Sequence, residues 1–105
     1  MRYLVDIDGI LCKNGSHTEY ATAIPLNDNI QKINSLYEAG HKIIIYTSRL
    51  SIDSEVTKAW LDKNGVKYHE AIFDKPTADF YIDDKAIPFI KPDFVKESKD
   101  GTTKS

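Results

Sequence analysis

The sequence predicts an α/β fold, a three-layer parallel sheet with helices on both faces. Short apolar runs, typical of buried strands, alternate with longer amphipathic segments that are typical of helices. Polar residues follow each apolar run directly, as they do at the edge of an open parallel sheet where ligands bind. With 105 residues, the chain suffices for one small domain with a single modest core.

The elements follow from these patterns. The apolar runs predict four strands, at residues 2–7, 42–47, 67–73 and 79–83. Between the first two strands, residues 9–26 form an irregular stretch in which Asn14-Gly15 predicts a turn and a small hairpin. A first helix is predicted at residues 27–39, ended by Gly40. A second helix begins at Ser51 or Asp53 and ends at Asn64-Gly65.

Bulk properties exclude several classes of protein. The net charge is −2 and no basic stripe is present, so a nucleic-acid or anionic membrane surface is not expected. Cys12 is the single cysteine, which excludes an internal disulfide and fits a reducing compartment. The start of the chain does not resemble a signal peptide, so the predicted location is the cytoplasm. We expect one domain at residues 1–95 and a flexible tail at 96–105.

The first strand ends in two carboxylates, Asp6 and Asp8, followed by Gly9, which lets the chain turn away. Residues two apart on a strand face the same side. One such carboxylate can attack phosphorus as a nucleophile, while the other serves as general acid and then as general base. Because Asp-Gly is also a common turn, this pair alone does not decide the function.

Three other strand ends carry matching groups. Asp83-Asp84 supplies a second acidic pair, which favours a cation such as Mg²⁺ between the two pairs. The Thr47 hydroxyl and the backbone amides after it are candidates for holding a phosphoryl oxygen, and Ser48 and Arg49 are candidates for substrate binding. Lys75 is placed to neutralise a nucleophile and a phosphate. Each signal is weak alone, and their conjunction indicates phosphoryl transfer.

Together the motifs resemble those of the haloacid-dehalogenase-like (HAD) phosphatase superfamily. Asp6-Ile7-Asp8-Gly9-Ile10 is similar to the first motif, Asp-x-Asp-x-Thr/Val, with Ile10 where Thr is usual. Thr47, Lys75 and Asp83-Asp84 are similar to the second, third and fourth motifs. The phrases Tyr-Thr-Ser-Arg and Lys-Pro-x-Ala-Asp-x-Tyr-Ile-Asp-Asp-Lys resemble small bacterial capsule and polysaccharide biosynthesis phosphatases. The implied fold is Rossmann-like and HAD-like.

The resemblance implies a role for each matching residue. Asp6 would be the nucleophile and a Mg²⁺ ligand, and Asp8 the general acid/base with its carbonyl on the metal. Thr47 would bind the transferring phosphoryl group and Lys75 would orient Asp6. Asp83 and Asp84 would complete the metal site. The implied activity is Mg²⁺-dependent hydrolysis of a phosphomonoester, with a sugar phosphate of polysaccharide biosynthesis as the expected substrate.

Two alternatives stay open. A receiver-type phosphoacceptor module also carries acidic, Thr and Lys residues at strand ends, and Asp74 would then be the acceptor. A catalytically inactive protein that binds sugar phosphates or a partner is the other, because Ile10 lacks the usual hydroxyl.

The site is expected to be capless. The stretch from Gly9 to Leu26 is long enough for a hairpin flap and too short for a folded lid domain. Two outcomes follow: either the substrate is large or extended, or a homo-oligomer brings a neighbour's flap over the site. The oligomer is favoured, because Tyr20, Phe89 and Phe94 are expected to be exposed apolar surface.

Overall fold

The computed structural model of the protein describes residues 1–14 and 17–89. Its sheet has three parallel strands in the order β1-β2-β3, namely Arg2–Val5, Lys42–Tyr46 and Glu70–Ile72. Two helices connect them, α1 (Asn27–Glu38) and α2 (Ser54–Lys63). The predicted α/β class and the parallel, Rossmann-like arrangement are therefore confirmed.

The central strand β2 explains why the sheet forms. Ile43, Ile44 and Ile45 are all buried, which suits the central strand of a parallel sheet. Its register pairs Val5 with Ile45 on one side and Ala71 with Ile45 on the other. The carboxyl ends of the three strands consequently meet at one edge.

Both helices pack on one face of this sheet, whereas the sequence led us to expect helices on both faces. Ile30 and Ile33 of α1 and Trp60 and Leu61 of α2 belong to one buried cluster that includes Ile43 and Ile45. Two right-handed crossovers that step the same way along a sheet place their helices on the same side. The opposite face carries Leu4 and Ile72, which are both exposed.

The helix ends follow the predicted glycines. Gly40 has φ +97° and Gly65 has φ +72°, values that a residue without Cβ adopts at no steric cost. After Gly40 the His41 amide donates to the Leu36 carbonyl, and after Gly65 the Val66 amide donates to the Leu61 carbonyl. These bonds satisfy the last carbonyls of each helix. No helix within the described ranges is long and apolar enough to cross a membrane.

The stretch between β1 and α1 leaves the sheet and returns alongside itself. The Lys13 amide donates to the Ile24 carbonyl and the Leu26 amide donates to the Leu11 carbonyl. A short 3₁₀ helix at His17–Thr22 lies between these arms, and the Trp60 indole donates to the Ala23 carbonyl. The expected hairpin thus has paired arms, although the centre of its turn, with Gly15, lies outside the described residues.

The predicted fourth strand at residues 79–83 does not form, and this expectation was wrong. The segment is irregular and exposed, with Phe80 and Ile82 almost fully open to solvent. The Tyr81 hydroxyl donates to the Pro76 carbonyl over 2.6 Å, and Lys75 Nζ lies 4.7 Å from the Tyr81 ring centroid. These local contacts turn the segment back on itself, so it pairs with no strand. The predicted tail at residues 96–105, and Phe94, lie outside the described residues.

Candidate functional site

Asp6 and Lys75 meet at the carboxyl edge of the sheet. Asp6 directly follows β1, and its side chain keeps 38% of its surface exposed. Lys75 Nζ lies 3.3 Å from Asp6 Oδ2, and its own side chain is 12% exposed. An accessible carboxylate beside a largely buried ammonium group is an arrangement in which the oxygen can attack while the cation offsets charge.

The conformation after β3 delivers Lys75 to this place. Asp74 has φ +63°, a left-handed conformation that Asp adopts more readily than most residues. Its amide donates to the Arg49 carbonyl, and the Lys75 amide donates to the Thr47 carbonyl. The Asp74 carboxylate also accepts the Ser51 amide at 3.1 Å. These bonds fasten the lysine segment onto the loop after β2.

Thr47 is fully buried at the end of β2. Its hydroxyl oxygen accepts the Arg49 amide at 3.1 Å, which leaves the hydroxyl proton as a donor. Ser48 is half-buried beside it. Because β1 and β2 are neighbours in register, Thr47 comes to the same edge as Asp6, as predicted.

Asp8 lies at the centre of a second group of side chains. Arg49 Nε donates to Asp8 Oδ2 at 2.9 Å and Arg49 Nη2 donates to Asp8 Oδ1 at 2.8 Å. The Arg49 side chain is only 1% exposed. Its Nη1 donates to the Thr57 hydroxyl at 3.1 Å, and its guanidinium carbon lies 3.7 Å from the Tyr20 ring centroid. We call Asp8, Cys12, Tyr20, Arg49 and Thr57 the Asp8 cluster.

Electrostatics inside the Asp8 cluster keep Arg49 charged and Cys12 neutral. Burial lowers the pKa of Arg49, but the hydrogen bonds and charge of Asp8 outweigh it, so its pKa is raised. Burial first, and then the Asp8 charge, raise the pKa of the Cys12 thiol to about 12. The Cys12 thiol lies 3.5 Å from Asp8 Oδ1. The buried thiol is therefore protonated at neutral pH and unreactive.

A cavity of about 280 Å³ lies beside Asp8 and Arg49. It is slightly smaller than the roughly 300–1,000 Å³ typical of pockets for drug-sized ligands. Its wall combines opposite charges, small polar groups and apolar surface, from Lys13, Asn14, Glu19, Tyr20, Thr22, Ala23 and Ile24. The returning stretch between β1 and α1 therefore forms one side of a pocket next to the proposed acid/base.

Asp83 and Asp84 do not join this assembly. Both are exposed, and Asp83 Oδ1 accepts the Lys85 amide at 2.8 Å. Within residues 1–14 and 17–89, no group of three or more His, Cys, Asp or Glu side chains is close enough to hold a metal ion. Asp6 offers the carboxylate oxygen that Mg²⁺ prefers, but the full predicted set of Asp6, Asp8, Asp83 and Asp84 is not gathered.

Comparisons with known proteins support the fold. No protein-family model matches the chain, and no curated protein matches it either. A crystal structure of a protein from Vibrio cholerae superposes with a TM-score of 0.73 and 26% identity, over 91% of this chain and 94% of that one.

Two further solved structures share the fold at lower identity. A chain of the Pnkp1/Rnl/Hen1 complex matches with a TM-score of 0.62 and 18% identity, over 78% of this chain and 30% of that chain. A structure of the Pnkp1/Rnl/Hen1 RNA repair complex gives 0.62 and 17%, over 76% of this chain and 27% of its own. This chain thus spans less than a third of the length of each of these two matched chains.

Several members of the site were not foreseen. Tyr20, which we expected on the exposed surface, is partly buried against the Arg49 guanidinium. Thr57 gave no signal beyond its place in an amphipathic helix. Arg49 was assigned to substrate binding, and it does line the cavity, but the structure commits its guanidinium to Asp8. A buried arginine needs a carboxylate partner, but the burial of Arg49 is evident only from the structure.

Proposed function

We propose that this protein is a phosphomonoester hydrolase of the HAD-like kind that works through an aspartyl-phosphate intermediate on Asp6. The observation that carries the proposal is the contact between the accessible Asp6 carboxylate and Lys75 at the edge where the strands end. Thr47 ends β2 at the same edge, and its hydroxyl, which is fully buried here and accepts the Arg49 amide, would donate to a phosphoryl oxygen once it becomes accessible. These groups come from separate segments of the chain, and no single turn would gather them.

The chemistry divides between the two acidic residues. An Asp6 oxygen attacks phosphorus, the bond to the leaving oxygen breaks, and Asp8 gives that oxygen a proton. Water then attacks the phosphorus of the aspartyl phosphate, Asp8 takes a proton from it, and inorganic phosphate leaves. Lys75 offsets negative charge on Asp6 and on the phosphoryl group, where a preorganised cation is most effective.

Mg²⁺ enters the proposal as a requirement for activity. It would offset the phosphate charge and polarise the phosphoryl oxygen. The described residues do not gather its full donor set, and each step above is therefore assigned to a protein side chain. Asp6, Asp8, Asp83 and Asp84 are the residues that would hold the metal.

The cavity supports a small, uncharged leaving group, such as the sugar of a sugar phosphate. Within it Arg49 is matched by Asp8, and its remaining charged wall residues are Lys13 and Glu19, one of each sign. Tyr20, Ala23 and Ile24 offer apolar contact. Asn14 and Thr22 offer hydrogen bonds, so the wall suits a small polar ligand with some apolar surface. The location we propose is the cytoplasm, where such metabolites and a free cysteine both occur.

The test is a panel assay of the purified protein with Mg²⁺ against sugar phosphates, nucleotides and an aryl phosphate. We expect release of inorganic phosphate, fastest from a sugar phosphate, and its loss with EDTA. Rapid acid quench should trap phosphate on Asp6. No release from any substrate would reject hydrolysis, whereas stable phosphorylation of Asp74 would favour the receiver alternative.

A further inference from the structure

The guanidinium of Arg49 is bonded to other side chains of the protein through all three of its nitrogens, whereas a substrate-binding arginine would keep donors free for the substrate. Two of its nitrogens donate to the two oxygens of Asp8, and Nη1 donates to Thr57 of α2. The side chain is 1% exposed. A two-point contact of this kind fixes the direction of a carboxylate as well as its distance.

Arg49 is itself held from three directions. Thr57, which is fully buried, accepts Nη1 from the α2 side. Tyr20 of the 3₁₀ helix covers the guanidinium plane, in the geometry of a cation–π contact. The Arg49 backbone amide donates to the Thr47 hydroxyl, and the Arg49 carbonyl accepts the Asp74 amide. The Arg49 side chain is therefore held in one position by contacts with α2, with the cavity wall and with Asp8.

We propose that Arg49 is a positioning residue that aims the Asp8 carboxylate at the leaving oxygen, and that Thr57 holds Arg49 in that role. This inference rests on the proposed phosphatase function and deepens it. It assigns Arg49 an effect on the rate of the step that Asp8 serves. Substrate binding, the other role open to an arginine at this place, would instead act through affinity.

The direction of the Asp8 carboxylate affects the rate of proton transfer. A general acid works only when its oxygen lies within hydrogen-bond reach of the atom that it protonates. A free aspartate side chain can rotate about two bonds, and the bidentate contact removes both rotations. Loss of the contact therefore lowers the fraction of enzyme in which Asp8 is aimed correctly, and small misplacements of this kind reduce rates strongly.

The experiment compares wild type, Asp8→Asn, Arg49→Lys and the double variant on an alkyl phosphate and an activated aryl phosphate. Lysine keeps the charge and loses the planar fork. We expect Arg49→Lys to lower kcat on the alkyl phosphate by about tenfold or more, with KM nearly unchanged and a smaller loss on the aryl phosphate. The double variant should be no slower than Asp8→Asn, because both changes disable the same group.

Thr57 provides a second, milder test in case Arg49→Lys folds poorly. Thr57→Ser keeps the hydroxyl that accepts Nη1, whereas Thr57→Val keeps the shape and loses it. Thr57→Val should show the same dependence on leaving group as Arg49→Lys, and Thr57→Ser should restore most of the rate. Arg2→Lys makes the same change at an exposed arginine of β1 and is the matched control for Arg49→Lys.

The outcomes separate cleanly. A rise in KM with unchanged kcat, or losses that multiply in the double variant, would overturn the positioning role and leave the phosphatase proposal in place. Equal losses on both phosphates would overturn it as well. A wild-type protein that is inert towards every phosphomonoester would reject the proposed function itself, and the positioning role with it.

Discussion

Asp8 and the acidic pair Asp83-Asp84 were predicted from the same kind of pattern, yet their surroundings differ sharply in the structure. Asp8 sits in a bidentate contact with an arginine that is 1% exposed. Asp83 and Asp84 lie on an exposed segment, and Asp83 accepts the Lys85 amide two residues away. Both follow an apolar run of the sequence, so the pattern alone did not distinguish them.

The difference lies in what each preceding run packs against. The strand before Asp6 and Asp8 pairs with β2, and the turn after it is closed by three amides that donate to the Ile7 carbonyl. Phe80-Tyr81-Ile82 is exposed and pairs with none of the three strands that the structure describes. An apolar run becomes a strand only when a neighbouring strand takes up its backbone groups, and the positions of the polar groups after it depend on that pairing.

The largest expected effect comes from Asp6→Asn, which keeps the shape and removes the attacking charge. We expect turnover to fall by far more than tenfold, since enzymes lower such barriers by at least about 8 kcal/mol. The measurement is release of phosphate at saturating Mg²⁺, with the exposed Asp62→Asn as control. Retention of more than about a tenth of the wild-type rate, less than roughly 1.4 kcal/mol, would mean that Asp6 is not the nucleophile.

Asp83→Asn asks whether the exposed segment belongs to the site at all. If Asp83 is a Mg²⁺ ligand in the working enzyme, the Mg²⁺ concentration for half-maximal activity should rise by about tenfold or more, and Asp84→Asn should have a smaller effect. Asp79→Asn, an exposed aspartate of the same segment, is the matched control. An unchanged Mg²⁺ dependence in Asp83→Asn would confine the site to the β1 and β2 ends and Lys75.

These two tests bear on how far the sequence could predict the site. The apolar runs at β1 and β2, and the glycines at 40 and 65, correctly predicted strands and helix ends because the responsible interactions are local or strongly periodic. Asp6, Thr47 and Lys75 were gathered as expected because three parallel strands end at one edge. Tyr20 and Thr57 were missed, since their role depends on the path of a loop and on the long reach of one arginine. No pattern in the sequence encodes either.

The pKa of Cys12 reports how well the Asp8 cluster is shielded from water. Its pKa is raised from 9.0 to about 12, mainly by burial. Below pH 9 the thiol is protonated in both folded and unfolded chains. Between pH 9 and 12 the unfolded chain loses this proton first, so the free energy of unfolding should fall as the pH rises.

The measurement is urea unfolding of wild type and Cys12→Ala over about pH 7.5 to 10.5, where the unfolded thiol begins to lose its proton and the folded thiol keeps it. Since Tyr20 and Tyr68 also have raised pKa values, both proteins will lose stability at high pH, and the wild type should lose more. Alkylation of the native thiol at pH 8 should be slow and become fast in urea. Parallel stability curves for the two proteins, with fast native alkylation, would show that water reaches the cluster.

The smallest expected effect concerns Asp74, which joins the loop after β2 to the lysine segment. Its left-handed conformation costs a residue with a Cβ roughly 1–2 kcal/mol, and its carboxylate offsets part of that by accepting the Ser51 amide. Asp74→Ala loses this bond and keeps the backbone cost, so we expect a fall of about 1 kcal/mol in the free energy of unfolding.

Two control variants separate the bond from the backbone cost. Asp74→Gly loses the bond but also relieves the backbone cost, so its free energy of unfolding should be close to that of wild type. Asp74→Asn keeps an acceptor for the Ser51 amide and should also be close to wild type. Urea titrations of the four proteins decide this order. A fall in Asp74→Gly as large as in Asp74→Ala would show that the side-chain bond, and not the backbone conformation, decides the contribution of Asp74 to stability.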